Sequence, residues 1–219
     1  MSSQTQENYL KCIYKICEKS PSGASTNAIA EGLDTKAATV SDMLKKLSTQ
    51  KLINYQKYQG VTLTTKGKKA ALSIVRNHRL WEVFLVDKLN FNWNEVHEVA
   101  EQLEHVKSEE LIKRLDIFLG QPKFDPHGDP IPSQNGKIEN SKATPLQEAK
   151  VGEKLVIAGV LEHSANFLAY LNEVNLTLGQ KVTVKKIVDF DQSMQLLVNK
   201  KDVLFISHQV AKNILVICQ

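Results

Sequence analysis

Residues 52–67, LINYQKYQGVTLTTKG, decide how the first part of this chain is expected to fold. Apolar and polar residues alternate through the stretch, with Ile53 before Gly60 and with Val61 and Leu63 after it. This pattern predicts a β-hairpin that turns at the glycine. The order of the elements that surround the hairpin then determines the fold.

Three helices are predicted before the hairpin. Apolar residues recur at helical spacing over 5–18. Ser25 or Thr26 can cap a short helix that Gly32 ends, and a further helix runs over about 36–50. Helix, short helix, tight turn, helix and hairpin is the order of a winged helix-turn-helix.

The rest of the chain is predicted to be first helical and then mostly β. Residues 65–90 read as one long helix, and further helices follow as far as Gly120. Residues 121–145 hold five of the six prolines, which is typical of a loop and linker. Short alternating runs over 146–219 predict a small, mostly β barrel. The expected fold class is therefore mainly α with a β C-terminal domain.

Charge is distributed unevenly over the three expected domains. Residues 1–75, the winged helix-turn-helix, have 11 lysines and 5 acidic residues. Residues 76–143, the helical domain with its Pro-rich linker, have 9 basic and 12 acidic residues, and 144–219 have 8 and 7. The basic first domain predicts a polyanion as partner, and the acidic middle domain could attract cations. The helical domain has more large apolar residues than it would cover by itself, so we expect a homodimer.

Several classes of protein are not expected from this sequence. No apolar run approaches the roughly 18 residues that a membrane span needs, and the N-terminus has no apolar signal region. Three cysteines do not suggest a disulfide framework, so a reducing cytoplasm fits. There is no nucleophile motif and no Gly-rich phosphate loop. We therefore expect neither a membrane protein nor an enzyme with a small organic substrate.

The second helix of a helix-turn-helix enters the major groove of DNA, and its first residues meet the base edges. Here that helix begins within DTKAATVSDMLKK, residues 34–46, whose exposed side chains are small or polar. The candidate DNA contacts are Thr35, Lys36, Ala37, Ala38, Thr39, Ser41 and Lys45 in this helix, with Lys57 and Tyr58 at the hairpin tip. The alternative is a helical bundle whose lysines are only solvated.

Residues 97–105, HEVAEQLEH, read as helical and would place two imidazoles and two carboxylates on one helix face. These four residues are His97, Glu101, Glu104 and His105. The face is either a metal site or a solvated surface. His78 and Glu82 stand at i and i+4 on the preceding helix, as in the metal sites of helical bundles. Imidazole and carboxylate without thiolate suit Mn²⁺ or Fe²⁺ better than a structural zinc.

The segment FDPHGDP, residues 124–130, adds further possible ligands in Asp125 and His127. Taken alone, this segment could be no more than a turn built around proline and glycine.

Several stretches, in their residues and in their order along the chain, resemble the diphtheria-toxin-repressor family, the iron- and manganese-dependent transcriptional repressors of bacteria. The matching stretches are ENYLKCIYKI, VTLTTKGKKAA, NHRLWEVFLVDKL, VHEVAEQLEHVKSEELIKRLD and LGQPKFDPHGDPIP, within residues 7–132. The C-terminal part is similar to the small SH3-like domain of the longer members. The resemblance implies a dimer that binds palindromic operator DNA when metallated and represses metal-uptake genes.

The resemblance also implies two metal sites. The primary, activating site is similar to Glu101, Glu104 and His105, joined by a first-helix residue at the position of Asn8. The ancillary site is similar to His78, Glu82 and His97, completed from the C-terminal domain, where His163 and Asn166 are the candidates. In manganese-sensing members, His78 serves the primary cluster instead. Asp125 and His127 stand where some relatives have a cysteine and a histidine of a second site.

Three positions bear on which metal is bound. Glu101 replaces the cysteine of iron-sensing members and, as a harder ligand, favours Mn²⁺. Asn8 stands where Asp or Met is common, which removes a charge from the site. Lys11 stands where some manganese sensors have a carboxylate, which argues against a two-metal cluster there. The alternatives are a helical metalloenzyme, or a metal-independent winged-helix regulator.

Overall fold

The computed structural model describes residues 3–20, 22–55, 60–139 and 142–219. The chain divides into two compact units. The first unit comprises Met1–His78, Glu101–Glu109 and Pro132–Ile138. The second unit comprises Arg79–Ala100, Glu110–Ile131 and Glu139–Gln219.

The elements of the first unit follow the order predicted from the sequence. They are α1 (Gln4–Lys19), α2 (Thr26–Gly32), α3 (Ala37–Thr49), β1 (Ile53–Asn54), β2 (Thr62–Leu63) and the first part of α4 (Thr65–Leu89). Helix α1 begins with a capping box, in which Ser3 and Gln6 each accept the other's backbone N–H. Ser25 caps α2 by accepting the N–H of Ala28. The predicted winged helix-turn-helix is confirmed.

One core holds the first unit together. Helices α1, α2 and α3 bury apolar side chains against one another and against the hairpin: Leu10, Ile13, Ile29, Leu44 and Leu47. Strands β1 and β2 pair antiparallel, with Ile53 opposite Leu63. Gly67, near the start of α4, lies so close to the hairpin that an added Cβ would lie 1.8 Å from the carbonyl oxygen of Leu52. The sequence therefore uses a glycine where helix and hairpin backbones meet.

The helical part of the second unit has its own small core. Helix α4 and helix α6 (Glu109–Phe118) contribute Leu80, Val83, Ile112 and Leu115 to it. Ile131 packs on the same cluster. Residues 121–139 of the Pro-rich segment form no helix or strand, as predicted. Residues 121–131 are nevertheless packed, because Phe124 forms a β-bridge with Pro130 and both Asp125 and His127 are buried.

The remainder of the second unit is the predicted β domain. Its six-stranded sheet has the order β3-β8-β4-β5-β6-β7, with all neighbours antiparallel. The strands are β3 (Thr144–Pro145), β4 (Lys154–Val160), β5 (Lys181–Ile187), β6 (Met194–Val198), β7 (Asp202–Ile206) and β8 (Ile214–Cys218). Helices α7 (Ala165–Glu173) and α8 (His208–Asn213) cover its core. The fold class is therefore the predicted one.

Helices long and apolar enough to span a membrane were sought among the described residues, and none was found.

The three thiols are expected to react at different rates with a disulfide reagent such as Ellman's reagent. Burial raises the pKa of the Cys12 and Cys17 thiols, and Cys17 also donates to the carbonyl oxygen of Val61. Because the thiolate is the reacting form, both should react slowly at neutral pH, whereas the exposed Cys218 should react at once. Mass spectrometry after a short pulse measures the order, and early labelling of Cys12 or Cys17 would contradict it.

Candidate metal centres and nucleic-acid interface

Helix α5 (Val96–Leu103) is shorter than HEVAEQLEH predicts, so the four candidate ligands do not share one helix face. Glu104 and His105 lie in the turn that follows the helix. The helix buries Val96 and Ala100. Glu104, four residues after Ala100, is buried as well. The prediction that the four residues share one helix face is therefore wrong. The alternative, a solvated surface, does not hold for Glu104 either, because Glu104 is buried.

The first cluster consists of residues from α1, α4, the end of α5 and the turn after it, all in the first unit. Its members are Glu7, Lys11, His78, Glu101, Glu104 and His105. Asn77 fixes the turn by donating from its side chain to the carbonyl oxygen of Glu104, at 3.2 Å.

Glu104 lies at the centre of the first cluster and is only 2% exposed. Its two carboxylate oxygens each accept from Lys11 Nζ at 2.7 Å, and Oε2 also accepts from His78 Nδ1 at 2.6 Å. Burial by itself would raise the pKa of Glu104, but the hydrogen bonds and charges of His78 and Lys11 outweigh it and lower that pKa. The side chain of Glu104 is therefore a buried, ionised carboxylate.

His105 is oriented by a residue that the sequence analysis did not single out. The Nδ1–H of His105 donates to Glu7 Oε2 at 2.7 Å, and its Nε2 lies 3.7 Å from Glu104 Oε1. A carboxylate that holds one imidazole nitrogen directs the other toward a metal, as in many protein metal sites. Glu7 stands four residues before the buried Lys11 on α1, which is the signal that could have identified it.

The structure places Asn8, the first-helix residue implied by the resemblance, on the exposed side of α1. Glu7, one residue earlier, is the residue of α1 that joins Lys11 in the first cluster. Glu101 is half-exposed and lies 3.3 Å from Lys11 Nζ. His78, which the resemblance assigns to either site, has its contact with Glu104 in the first cluster.

The second cluster lies wholly within the second unit and contains Glu82, Asp125 and His127, all buried. One ligand atom from each residue lies within 4.8 Å of the others, which is close enough for one ion to contact all three. His97 Nδ1 lies 3.5 Å from Glu82 Oε1. His163, on the chain between β4 and α7, has its ring 5.3 Å from the ring of His127. Asn166 is exposed on α7.

The ring of His127 is fixed in a form that can bind a cation. Its Nε2 lies 2.8 Å from the carbonyl oxygen of Trp93, so Nε2 must carry the proton and donate. In the neutral imidazole, Nδ1 then has a lone pair, and it lies 3.8 Å from Glu82 Oε1 and 4.0 Å from Asp125 Oδ1. The Trp93 ring stacks on the imidazole with centroids 6.1 Å apart.

Asp125 is held tightly by its own loop. Its Oδ1 accepts the backbone N–H groups of His127 at 2.8 Å and of Asp129 at 3.0 Å. Burial, followed by the negative charges of Glu82 and Asp129, raises the pKa of Asp125, although Arg79 opposes the shift. Two carboxylates buried together are relieved by a cation between them, so the second cluster has the chemistry of a cation site.

The exposed side chains of helix α3 are polar or small, as predicted from the sequence. Val40, Leu44 and Leu47 face the core. The exposed residues of the helix and its approach include Lys36, Ala37, Ala38, Thr39 and Lys45, whereas Thr35 and Ser41 are half-buried. Ser41 donates to the carbonyl oxygen of Ala37, and Lys45 pairs with Asp42 at 3.1 Å. Lys57 and Tyr58 at the hairpin tip lie outside the described residues.

Three family models match successive parts of the chain. Residues 1–61 match "Iron dependent repressor, N-terminal DNA binding domain" and 64–133 match "Iron dependent repressor, metal binding and dimerisation domain". Residues 144–218 match the FeoA domain. The division into three domains after residues 75 and 143 stays a prediction.

Individual relatives cover most of the molecule. The iron-dependent repressor IdeR of Mycobacterium leprae (strain TN) is 31% identical over 193 residues, which are 83% of this chain and 84% of that protein. The regulator MntR of Oceanobacillus iheyensis is 36% identical over 125 residues, 57% of this chain and 84% of that protein. A solved manganese-dependent transcriptional repressor in complex with manganese is 34% identical with a TM-score of 0.87, covering 98% of this chain and 100% of that one.

These relatives are transcriptional repressors or regulators, which confirms the expectation that the chain is not an enzyme. Iron or manganese as the cofactor fits the family models and the manganese-bound structure alike. The chain belongs to the diphtheria-toxin-repressor family of iron- and manganese-dependent transcriptional repressors.

Proposed function

We propose that this protein is a homodimeric repressor that binds palindromic operator DNA through helix α3 when Mn²⁺ is bound, and that it controls metal-uptake genes. The observation that carries the proposal is the first cluster. It brings α1, a core helix of the DNA-binding fold, together with the ionised Glu104 and the oriented His105. A change in the charge at this cluster can therefore alter how α1 is held.

The ligands proposed for the first cluster are His78, Glu101, Glu104 and His105, with Glu7 as the residue that orients His105. A bound divalent cation would supply positive charge shared by these oxygen and nitrogen donors. Glu7 and Asn77 hold the imidazole and the turn in place from the first unit itself. Fixing α1 in this way favours one arrangement of the helices that α1 packs against, α3 among them.

Manganese is the favoured ion because both clusters offer only oxygen and imidazole nitrogen. Glu101, Glu104 and the histidines form a hard donor set, as do Glu82, Asp125 and His127 of the second cluster. No cysteine belongs to either cluster among the described residues. Iron(II) accepts the same donors and is the ion to compare.

A homodimer is supported by the apolar residues that the second unit leaves exposed. Leu111, Ile117 and Phe118 of α6 are 42%, 59% and 63% exposed. Nε1 of Trp81 on α4 is the one buried side-chain donor or acceptor without a hydrogen-bond partner in the described part of the chain. Two-fold pairing through such helices would give a homodimer with two copies of α3, which is the number that a palindromic operator needs.

The experiment that tests this function is selection of bound genomic DNA fragments in Mn²⁺, in anaerobic Fe²⁺ and in chelator. We expect a palindromic site to be enriched only with metal, most strongly with Mn²⁺. Thr39→Glu, on the exposed side of α3, should abolish enrichment because it repels phosphate. Ser73→Glu, also exposed but on α4, is the matched control and should retain it.

Enrichment that is unchanged by chelator would support the metal-independent regulator instead. No enrichment in any condition would reject operator binding altogether.

A further inference from the structure

A lysine lies where the proposed metal ligands converge. Lys11 Nζ is 2.7 Å from both carboxylate oxygens of Glu104 and 3.3 Å from Glu101 Oε1. These are oxygens that the proposed function assigns to a metal. The side chain of Lys11 is only 8% exposed, and that of Glu104 only 1%. The ammonium group is thus enclosed with the carboxylates.

The contact is stronger than an ordinary surface ion pair. A buried ammonium is costly unless it is paired and hydrogen-bonded. Lys11 meets this requirement with three contacts to two carboxylates. These contacts favour the enclosed position of its ammonium group. The ammonium thus places its positive charge directly against both oxygens of the Glu104 carboxylate.

Lys11 and a divalent cation compete for these oxygens. An ammonium has three N–H donors and no lone pair, so it cannot become a ligand of the ion. Two positive charges a few ångströms apart repel one another strongly where water is excluded. A divalent ion at Glu104 is therefore bound more weakly as long as Lys11 Nζ stays 2.7 Å from both carboxylate oxygens.

We propose that Lys11 is an internal competitor for the first cluster, a tethered cation that must withdraw before Mn²⁺ can bind there. This inference rests on the proposed function, because it takes the first cluster to be a metal site. Its consequence is regulatory: the energy of withdrawing Lys11 sets the metal concentration at which the cluster fills. The four-carbon stem lets the ammonium leave while the backbone of α1 remains in place.

Pulsed acylation of lysines, read by mass spectrometry, measures the position of Lys11 in the unaltered protein. We expect Lys11 to be protected without metal and to react about tenfold faster at saturating Mn²⁺, as for a change in enclosure of about 1.4 kcal/mol. Lys19, exposed on the same helix, is the internal control and should react equally in both conditions. Protection of Lys11 in both conditions would overturn the proposal.

A second measurement compares Mn²⁺ affinity by titration calorimetry. Lys11→Met keeps the length of the side chain and removes its charge, so the affinity of the first cluster should rise by roughly tenfold or more. Lys19→Met removes a charge from the same helix without touching the cluster and should change nothing. Unchanged or weaker binding by folded Lys11→Met protein would overturn the proposal.

The two proposals fail in different ways. If Glu104→Gln lowers the number of Mn²⁺ ions bound while Lys11 stays protected throughout, the metal site stands and the competitor role is rejected. If Mn²⁺ exposes Lys11 but DNA binding ignores chelator, Lys11 is a competitor and the metal-dependent function is rejected. If Glu104→Gln leaves Mn²⁺ binding unchanged and Lys11 stays protected, both are rejected.

Discussion

Glu104→Ala is expected to lower the free energy of unfolding of the metal-free protein by about 3 kcal/mol. The reason is that the buried ammonium of Lys11 loses its main carboxylate partner. Lys11 would keep only Glu101, 3.3 Å from Nζ and half-exposed. The imidazole of His78 would also lose its acceptor, 2.6 Å away. Urea unfolding in the presence of chelator measures the change. The same variant should lose all metal-dependent DNA binding, since a proposed ligand is gone.

Glu101→Ala is the matched control, since it removes the other carboxylate that contacts Lys11. The side chain of Glu101 is 50% exposed, against 1% for Glu104, so water can replace it and the loss should stay below about 1 kcal/mol. Equal losses in the two variants would show that burial does not govern this contact.

The double variant Lys11→Met with Glu104→Gln separates stability from metal binding. It removes both charges at once, so most of the lost stability should return. Metal-dependent DNA binding should not return, because the glutamine amide is a poor replacement for a carboxylate ligand. A double variant no more stable than Glu104→Ala would mean that Glu104 stabilises the fold through something other than Lys11.

The winged helix-turn-helix could be predicted because its signals are local. Helical periodicity, the Ser25 cap and the alternation around Gly60 each depend on neighbours in sequence. The β domain was predictable for the same reason, since its strands alternate between buried and exposed residues, as over Met194–Val198.

The geometry of the metal site depends on contacts that are distant in sequence. Helical spacing places His97, Glu101 and Glu104 together, but α5 ends at Leu103 and the turn carries Glu104 to Lys11, 93 residues away in sequence. His97 contacts Glu82 instead, at 3.5 Å. The local pattern alone does not fix where a helix ends, because tertiary contacts override it.

The choice between Glu7 and Asn8 shows the same limit on a finer scale. The resemblance fixes a position along α1, but the rotation of the helix decides which side chain faces the cluster. Adjacent residues on a helix point about 100° apart, and here Glu7 contacts His105 while Asn8 is exposed. The ligand at the position of Asn8 stays a prediction, and the packing adds Glu7 as a second candidate from the same helix.

Gly128→Ala is expected to destroy the second cluster and to lower the free energy of unfolding of its unit by on the order of 3 kcal/mol or more. Gly128 has a φ of +87°, which an alanine adopts only with strain. An added Cβ would also lie 2.1 Å from the carbonyl oxygen of Ala158 and 2.4 Å from Cα of Gly159. Both are backbone atoms of β4, so the loop must move away.

That movement would carry the proposed ligands with it. Gly128 stands next to His127, whose carbonyl oxygen accepts the N–H of Val160 at 2.9 Å and ties the loop to β4. The N–H of Gly128 in turn donates to the carbonyl oxygen of Asp125 at 3.1 Å. Displacing the loop separates His127 and Asp125 from Glu82, so calorimetry should lose the Mn²⁺ bound at the second cluster while the first cluster still binds.

Gly120→Ala distinguishes the clash from the backbone strain. Gly120 has a similar φ of +76°, but nothing lies within 4 Å of an added Cβ. It should therefore lose only about 1 kcal/mol, the energy of placing an L-residue in the left-handed region, and keep Mn²⁺ at both clusters. If the two variants lost equal stability, the close approach of the loop to β4 would not be what holds His127 and Asp125 in place. If Gly128→Ala lost the expected stability yet bound as much Mn²⁺ as the unaltered protein, the second cluster would not be a metal site.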